Sequence, residues 1–332
     1  MAESAAVKAF SNIALVKYWG KLSVAGNEPA VSSLSITLNS LFTETKISLD
    51  SGFEKDVLLF NGEELSTESK NFKRIFKAFN VMRDFADVED KCIIETSNNF
   101  PTGAGLASSA SGFAALALGG SKALGLDLSD KQLSQLARSF SGSAARSIFG
   151  GFSKMMTQNV REANPPFGSI YAEPVASADH WTLSVCVGVV SEKEKDLGST
   201  DGMDLTRLTS TYYEAWLRDN DKDVLEAEQA VLDKDFEKLA IISEQSCLKM
   251  HANAMAANPG ILYWEGVTVE AIHLIRSLRK QGVPVFFTID AGPQIKAVCL
   301  PEAIAKVEEA LQSLDGIKRT ITCGLGQGAH SV

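Results

Sequence analysis

NNFPTGAGLASSASGF, residues 98–113, is the stretch on which the reading of this 332-residue chain turns. A strand-like segment, Lys91–Thr96, with Cys92, Ile93 and Ile94 in succession, leads into it, and an apolar run suited to a helix, Phe113–Leu118, leads out. Strand, glycine- and serine-rich loop, then helix is an order that can seat phosphates. First-turn N–H groups of a helix lack partners and carry partial positive charge, small residues allow close backbone approach, and the hydroxyls of Ser108, Ser109 and Ser111 can bond phosphate oxygens or a magnesium ion. It is not a Walker loop, because no Gly-Lys-Ser/Thr closes it, and the Gly-x-Gly of Gly103 and Gly105 lacks the third glycine of a dinucleotide site. On these residues alone, a plain Gly/Ser turn before a tightly packed helix explains the stretch equally well.

Upstream, the segments around Ile47 and Val57–Phe60 read as strands, and Asn61-Gly62 is a two-residue hairpin signal before Glu63. Phe72, Ile75, Phe76 and Phe79 recur on one helical face, with Ser69 or Glu68 available near its start, and Gln132–Phe140 predicts another helix. Downstream come a strand over Trp181–Val190 and a long helical region from Leu205 to about Ala256. A helix through Ile272, Ile275 and Leu278 should stop at Gly282, ahead of a strand over Val285–Ile289. A helix opened by Pro301 places Ile304, Val307 and Leu311 inward, and Lys318–Cys323 reads as the last strand. Mixed strands and helices without repeats or a long linker predict an α+β protein of two tightly packed lobes with a cleft between them, the boundary falling after His180.

A hydrophobic content of 45% in 332 residues allows a large core, which suits such a cleft enzyme better than a small binding module. The net charge of -9, with no long Lys/Arg block, argues against general nucleic-acid binding, so a polyanionic substrate requires a local basic pocket. Nowhere do about 18 apolar residues run together, so no membrane span is expected, and Met1–Gly20 does not resemble a secretory signal; a cytoplasmic protein is expected. Cys92, Cys186, Cys247, Cys299 and Cys323 are odd in number and widely spaced, which predicts buried thiols rather than a disulfide framework or zinc ribbon. His180, His251, His273 and His330 are equally scattered, so no protein-held transition metal is expected.

Three other places can carry chemistry. In NIALVKYWGK (12–21), Lys17 and Lys21 flank Tyr18 and Trp19; two cations beside an aromatic pair can clamp a diphosphate, and an edge strand with solvated lysines has the same pattern. In SGSAARSIFGG (141–151), the planar fork of Arg146 can hold a carboxylate bidentately, or Arg146 is a surface residue at a helix end. Asp290 ends an apolar strand just before Gly292-Pro293, where it can cap a turn or present a carboxylate to a ligand.

Pro101 to Ala110 resembles the ATP phosphate loop of the mevalonate diphosphate decarboxylases, in the superfamily of galactokinase, homoserine kinase, mevalonate kinase and phosphomevalonate kinase. NIALVKYWGK, SGSAARSIFGG, GSTDGM (198–203) and IDAGP (289–293) are similar to that family as well, and in its order. The resemblance spans nearly the whole chain and implies a GHMP-kinase-like fold, with an ATP-binding lobe over 1–180 and a second lobe over 181–332. It implies ATP and Mg²⁺ as cofactors, with Pro101, Thr102, Gly103, Ala104, Gly105, Leu106, Ala107, Ser108, Ser109 and Ser111 at the nucleotide and Ser109 at the metal.

For a phosphorylated mevalonate as substrate, the resemblance puts Tyr18 and Lys21 near the 5-phosphates with Asn12 close by. Ser141, Ser143 and Ser199 would bond the phosphates, and Met203 would line the site. Arg146 would orient the C1 carboxylate, and Lys17 would lie beside the catalytic carboxylate of Asp290, which faces the 3-hydroxyl and accepts its proton. Phosphorylating that hydroxyl makes it a leaving group, and its departure draws electrons from the carboxylate as carbon dioxide is lost. A two-fold homodimer is the usual arrangement for such enzymes. The sequence departs from the family at Leu22-Ser23, at Val31 in place of an asparagine, and at Gly103 and Gly198.

Overall fold

The computed structural model describes residues 3–22, 27–100, 108–157, 167–193 and 195–332. Two long antiparallel strands dominate the first half, β1 (Glu3–Val16) and β2 (Ser33–Asp50). Next come β3 (Val57–Phe60), β4 (Glu63–Glu64), helix α1 (Lys70–Ala86), β5 (Lys91–Asn98), α2 (Ser108–Ala123), α3 (Asp130–Phe140), the single turn α4 (Ala144–Ser147), β6 (Phe152–Met155) and β7 (Ala172–Ala176). The sheet runs β12-β1-β2-β5-β3-β4, where β12 (His330–Ser331) is the returning C-terminus. The long β2 is shared: its end nearest Asp50 pairs with β5, and its Ser33–Ile36 end pairs with β6, which in turn pairs with β7.

Local signals account for several of these elements. Asn61 and Gly62 both adopt positive φ, 50° and 86°, the backbone that lets a two-residue turn match the twist of β3 and β4. Ser69 caps α1 by accepting from the Phe72 N–H at 3.2 Å. Helix α2 is buried almost all round because its small residues admit neighbours on several sides; a Cβ at Gly120 would lie 2.8 Å from the Met82 sulfur.

After residue 180 the chain builds β8 (Ser184–Val189), helices α5 (Ser199–Thr209), α6 (Tyr213–Asp233), α7 (Phe236–Met255) and α8 (Gly266–Lys280), then β9 (Val285–Thr288), β10 (Ile295–Cys299), α9 (Ile304–Gln312) and β11 (Arg319–Gly324). The second sheet is antiparallel, in the order β11-β8-β10-β9. Alternation along its strands divides its two faces: Cys186, Phe287 and Ala297 pack with α8 and α9, while Val185, Val187, Phe286 and Val298 join a core containing Ile13, Leu15, Leu34 and Ile36 of the first sheet and residues of α6 and α7. That shared core fixes the two sheets against each other and brings the end of β1 beside the end of β9.

The single helical region expected over 205–256 is three helices. Lys234 adopts a left-handed conformation (φ 58°) that closes α6, and Asp235 immediately caps α7 by accepting from the Lys238 N–H at 3.0 Å. All five cysteines are free and buried.

Phe152 is fully buried at the seam and stacks 6.3 Å from Trp181. Phe152→Ala is expected to cost about 3–5 kcal/mol, seen in urea melts as a lower midpoint of the whole transition because the core it leaves serves both sheets.

Candidate active site

Three segments meet where β1 and β9 end. Helix α7 holds two of them by their backbones. The Lys17 N–H donates to Ser246 Oγ at 2.9 Å, and the Ile289 N–H to Cys247 Sγ at 3.2 Å, while His251 Nε2 lies 3.2 Å from the Ile289 carbonyl. With both backbones fixed, Lys17 Nζ donates to Asp290 Oδ1 at 2.6 Å and to the Ala14 carbonyl at 2.8 Å. Lys296, on β10, approaches the other carboxylate oxygen at 3.3 Å. The two lysine side chains are 1% and 2% exposed and that of Asp290 is 25% exposed, so the carboxylate is the member of the trio that solvent or a ligand can reach. Burial pushes the Asp290 carboxyl up, but Lys17 and then Lys296 outweigh it and hold the group well below the usual carboxylate range. His251, pushed down by burial to about 3, is neutral and leaves Asp290 as the ionised group there.

Arg146 is 1% exposed, which excludes the surface reading. Its Nε donates to Ser35 Oγ at 3.1 Å and its Nη1 to Ser33 Oγ at 2.7 Å, and the Tyr18 ring lies 5.9 Å from the guanidinium carbon. Among the described residues no carboxylate stands within ion-pair distance of it. Burial lowers its pKa to about 10, still charged at neutral pH, with Tyr18 and Asp290 acting the other way. The segment around it is drawn in by Asn12, whose Nδ2 donates to the Ser143 carbonyl at 2.9 Å and to Ser147 Oγ at 2.8 Å. Ser141 and Ser143 lie side by side, their hydroxyl oxygens 3.5 Å apart. Gly142 is required beside them, since a Cβ there would meet the Tyr18 hydroxyl at 2.4 Å. Among the described residues, that hydroxyl and Asn12 Oδ1 are buried polar atoms without a hydrogen-bond partner.

Lys17–Lys21 lies beyond β1, so the edge-strand reading fails and Tyr18 and Trp19 are free to diverge. Trp19 turns into an apolar cluster with Met203 and Val31, donating from Nε1 to Thr206 Oγ1 at 3.1 Å. Met203 is 4% exposed and serves that cluster, and Val31 fills apolar space where an amide would be costly. Lys21, largely buried, donates to Asn27 Oδ1 at 2.7 Å and Thr200 Oγ1 at 3.2 Å; burial lowers its pKa, so an incoming anion would favour its charged form. Ser199 begins α5 and accepts from Lys195 Nζ at 2.8 Å, and the same ammonium donates to the Ala291 carbonyl at 3.0 Å, tying α5 to the residue after Asp290.

Residues 101–107, expected at the nucleotide, lie outside the described residues. Ser108 and Ser109 are in the first turn of α2 and line a cavity of about 100 Å³ with Asn71, Arg74, Thr96 and Asn98. Ser111 is turned away from it. Fully buried, its hydroxyl lies 2.7 Å from Thr43 Oγ1, joining α2 to β2; two residues after Ser109, it stands on the other side of the helix, against the sheet. Among the described residues no three His, Cys, Asp or Glu side chains gather as a metal site.

The sequence motifs do not include Lys296, Ser35, Lys195 or the Asn71–Arg74 side of the cavity. One signal was present: Lys296 interrupts an otherwise apolar five-residue run, Ile295–Cys299, and a charge in a buried strand marks a functional constraint. The serines of β2 carry no such signal, since Ser33 and Ser35 acquire meaning only when β6 and α4 carry Arg146 over them.

Residues 9–164 match the diphosphomevalonate decarboxylase-like N-terminal domain and residues 185–327 the mevalonate 5-diphosphate decarboxylase C-terminal domain. A diphosphomevalonate decarboxylase of Candida albicans is 36% identical over 304 residues, covering 87% of this chain and 82% of the relative. Mevalonate diphosphate decarboxylase from Staphylococcus aureus superposes with a TM-score of 0.92 at 36% identity, covering 100% of this chain and 98% of the other. MDDEF in complex with MVAPP, AMPPCP and magnesium gives a TM-score of 0.91 at 36% identity, covering 100% and 99%. With both halves of the sequence matched in order, and the aspartate–lysine and arginine sites brought to one end of the shared core, the chain belongs to the diphosphomevalonate decarboxylase family.

Proposed function

We propose that the protein catalyses the ATP-dependent decarboxylation of mevalonate 5-diphosphate to isopentenyl diphosphate, releasing ADP, phosphate and carbon dioxide. The observation behind this reading is the buried Arg146 guanidinium, held by two neutral serines. A buried charge without an opposite partner is costly, and a substrate carboxylate is the partner that its remaining N–H groups fit.

In this proposal Arg146 fixes the C1 carboxylate, and Asp290 orients the 3-hydroxyl and takes its proton as the oxygen becomes bonded to phosphorus. Lys17 keeps the aspartate in place. Tyr18, with its unsatisfied buried hydroxyl, Asn12, Lys21, Ser141, Ser143 and Ser199 hold the diphosphate, with Met203 behind them. ATP with Mg²⁺ supplies the transferable phosphoryl group and the charge that neutralises it. Ser108 and Ser109 suit that role because they lie in the first turn of a helix beside a cavity, and Ser109 is the metal-side hydroxyl; Pro101–Ala107 belong to the same set. Ser111 is not included, since Thr43 occupies its hydroxyl.

The proposal extends to a cytoplasmic homodimer, supported by five free thiols, which suit a reducing compartment, and by the prevalence of two-fold pairs among enzymes. It also places the lobe division between residues 180 and 181, supported by the sheet change there. Among the described residues no helix is long and apolar enough to cross a membrane.

The test is a paired assay of ADP and carbon dioxide with mevalonate 5-diphosphate and, separately, mevalonate 5-phosphate. One carbon dioxide per ADP with the diphosphate is expected; ADP without gas would make the protein a kinase, and preference for the monophosphate would move it to a different substrate. Ser109→Ala is expected to weaken nucleotide binding about tenfold, the size of one hydrogen bond to a charged group, read by calorimetry.

A further inference from the structure

Nothing in the sequence motifs draws attention to Lys296, yet it is among the most completely buried charged side chains in the molecule. It sits in β10, whose five residues are all buried, opposite Thr288 of β9. Alternation puts it on the same face as Val298, toward the end of β1, and the Thr288 hydroxyl on the neighbouring strand donates to the Ala14 carbonyl at 3.2 Å. That carbonyl also accepts from Lys17. The two lysines therefore reach Asp290 from different places, Lys17 from just beyond β1 and Lys296 from within β10, one at each carboxylate oxygen, 2.6 and 3.3 Å away. Burial lowers the pKa of Lys296, and the Asp290 carboxylate beside it acts the other way, so the ionised forms of the two groups support each other.

We propose that Lys296 is a positioning residue for the phosphorylation step: its ammonium fixes the second oxygen of Asp290 opposite Lys17. This rests on the function proposed above. Held from both sides, the carboxylate cannot rotate away from the cleft, and its low basicity delays proton uptake until the 3-hydroxyl has become acidic through bonding to phosphorus. The other groups around Asp290 do not replace Lys296. His251 on α7 is neutral, Cys247 on α7 is pushed up to about 11 and stays a thiol, and Arg146 on α4 is engaged by its serines.

Lys296→Met keeps an unbranched side chain that lacks only the terminal ammonium, and leaves Asp290 and Lys17 paired one to one. Because a nearby cation favours the carboxylate, its removal raises the aspartate's pKa. The acid limb of kcat is expected to move upward by about 1–3 pH units, the range for one neighbouring opposite charge, with kcat falling about 10- to 100-fold and nucleotide Kd unchanged. A titration of ¹³C-carboxyl-labelled aspartates, with the Asp290 signal assigned through Asp290→Asn, reads the same shift without substrate. A folded Lys296→Met protein whose Asp290 resonance and acid limb stay where they are in the wild type would overturn the proposal. So would a wild-type Asp290 that titrates near 4, a measurement that needs no variant. If Asp290→Asn proves fully active while the carboxyl shift appears, the functional reading fails and the charge arrangement stands.

Discussion

Asp290→Asn should lower turnover by about 10³-fold or more, within the range of a positioned acid–base group, while nucleotide and substrate affinities stay within about twofold. Asparagine keeps the size of the side chain and can still accept a hydrogen bond from Lys17 at 2.6 Å, so the packing around it need not change. What it loses is the negative charge and the ability to take a proton. Both lysines then lack their anion, and the site becomes more positive. This is tolerable for binding a substrate with a carboxylate and a diphosphate but useless for deprotonating its hydroxyl. Steady-state kinetics with calorimetric Kd values separates the two effects. Turnover within a few-fold of the wild type would remove Asp290 from the reaction.

The pH dependence follows from the same charges. Because the folded-state pKa of Asp290 is depressed, its ionised form persists as pH falls through the ordinary carboxylate range, and the stabilisation it gives, fully present above the unfolded pKa, is lost progressively as pH falls from there through the folded pKa. The acid limb of wild-type activity is therefore expected to lie at or below the pH at which exposed carboxylates titrate.

Arg146→Gln should cost on the order of 10² or more in kcat/KM, the scale of losing a fixed charged donor. The residue is large, almost wholly buried and bound on two sides by Ser33 and Ser35. Glutamine can bond one of those serines but cannot supply the charge or the fork. Removing a buried, unpaired cation relieves the free enzyme of a desolvation cost, so the variant is expected to melt no lower than the wild type, and higher if Ser33 and Ser35 find each other or Ser153. A loss of activity accompanied by retained or raised stability is the signature of a residue kept for its ligand. An equal fall in both would mean that Arg146 is structural.

Much of this site is legible in the order of residues alone. Asp290 is visible as a carboxylate between an apolar strand and Gly292-Pro293, where a turn cap was the equal alternative, and the serines at 108 and 109 because a small-residue loop runs straight into a helix. What chain order hides is mutual placement. Lys17 and Asp290 are 273 residues apart and meet only because the shared core aligns β1 with β9 and α7 clamps both backbones. The serines that hold Arg146 belong to a strand whose two ends serve different neighbours, a division no local pattern announces. Ser111 shares composition with Ser108 and Ser109, but two residues after Ser109 it stands across the helix, and its hydroxyl meets Thr43 of the sheet. The break between α6 and α7 escapes a pattern reading because Lys234, at its left-handed position, is neither glycine nor asparagine, the residues that usually mark such an end.

A crystal structure with mevalonate 5-diphosphate and a non-hydrolysable ATP analogue would put the central claim to the test most directly. It should place the substrate carboxylate on the Arg146 guanidinium and the 3-hydroxyl within hydrogen-bond distance of Asp290, with the triphosphate over the first turn of α2. A substrate bound elsewhere, or with its carboxylate turned away from Arg146, would contradict it.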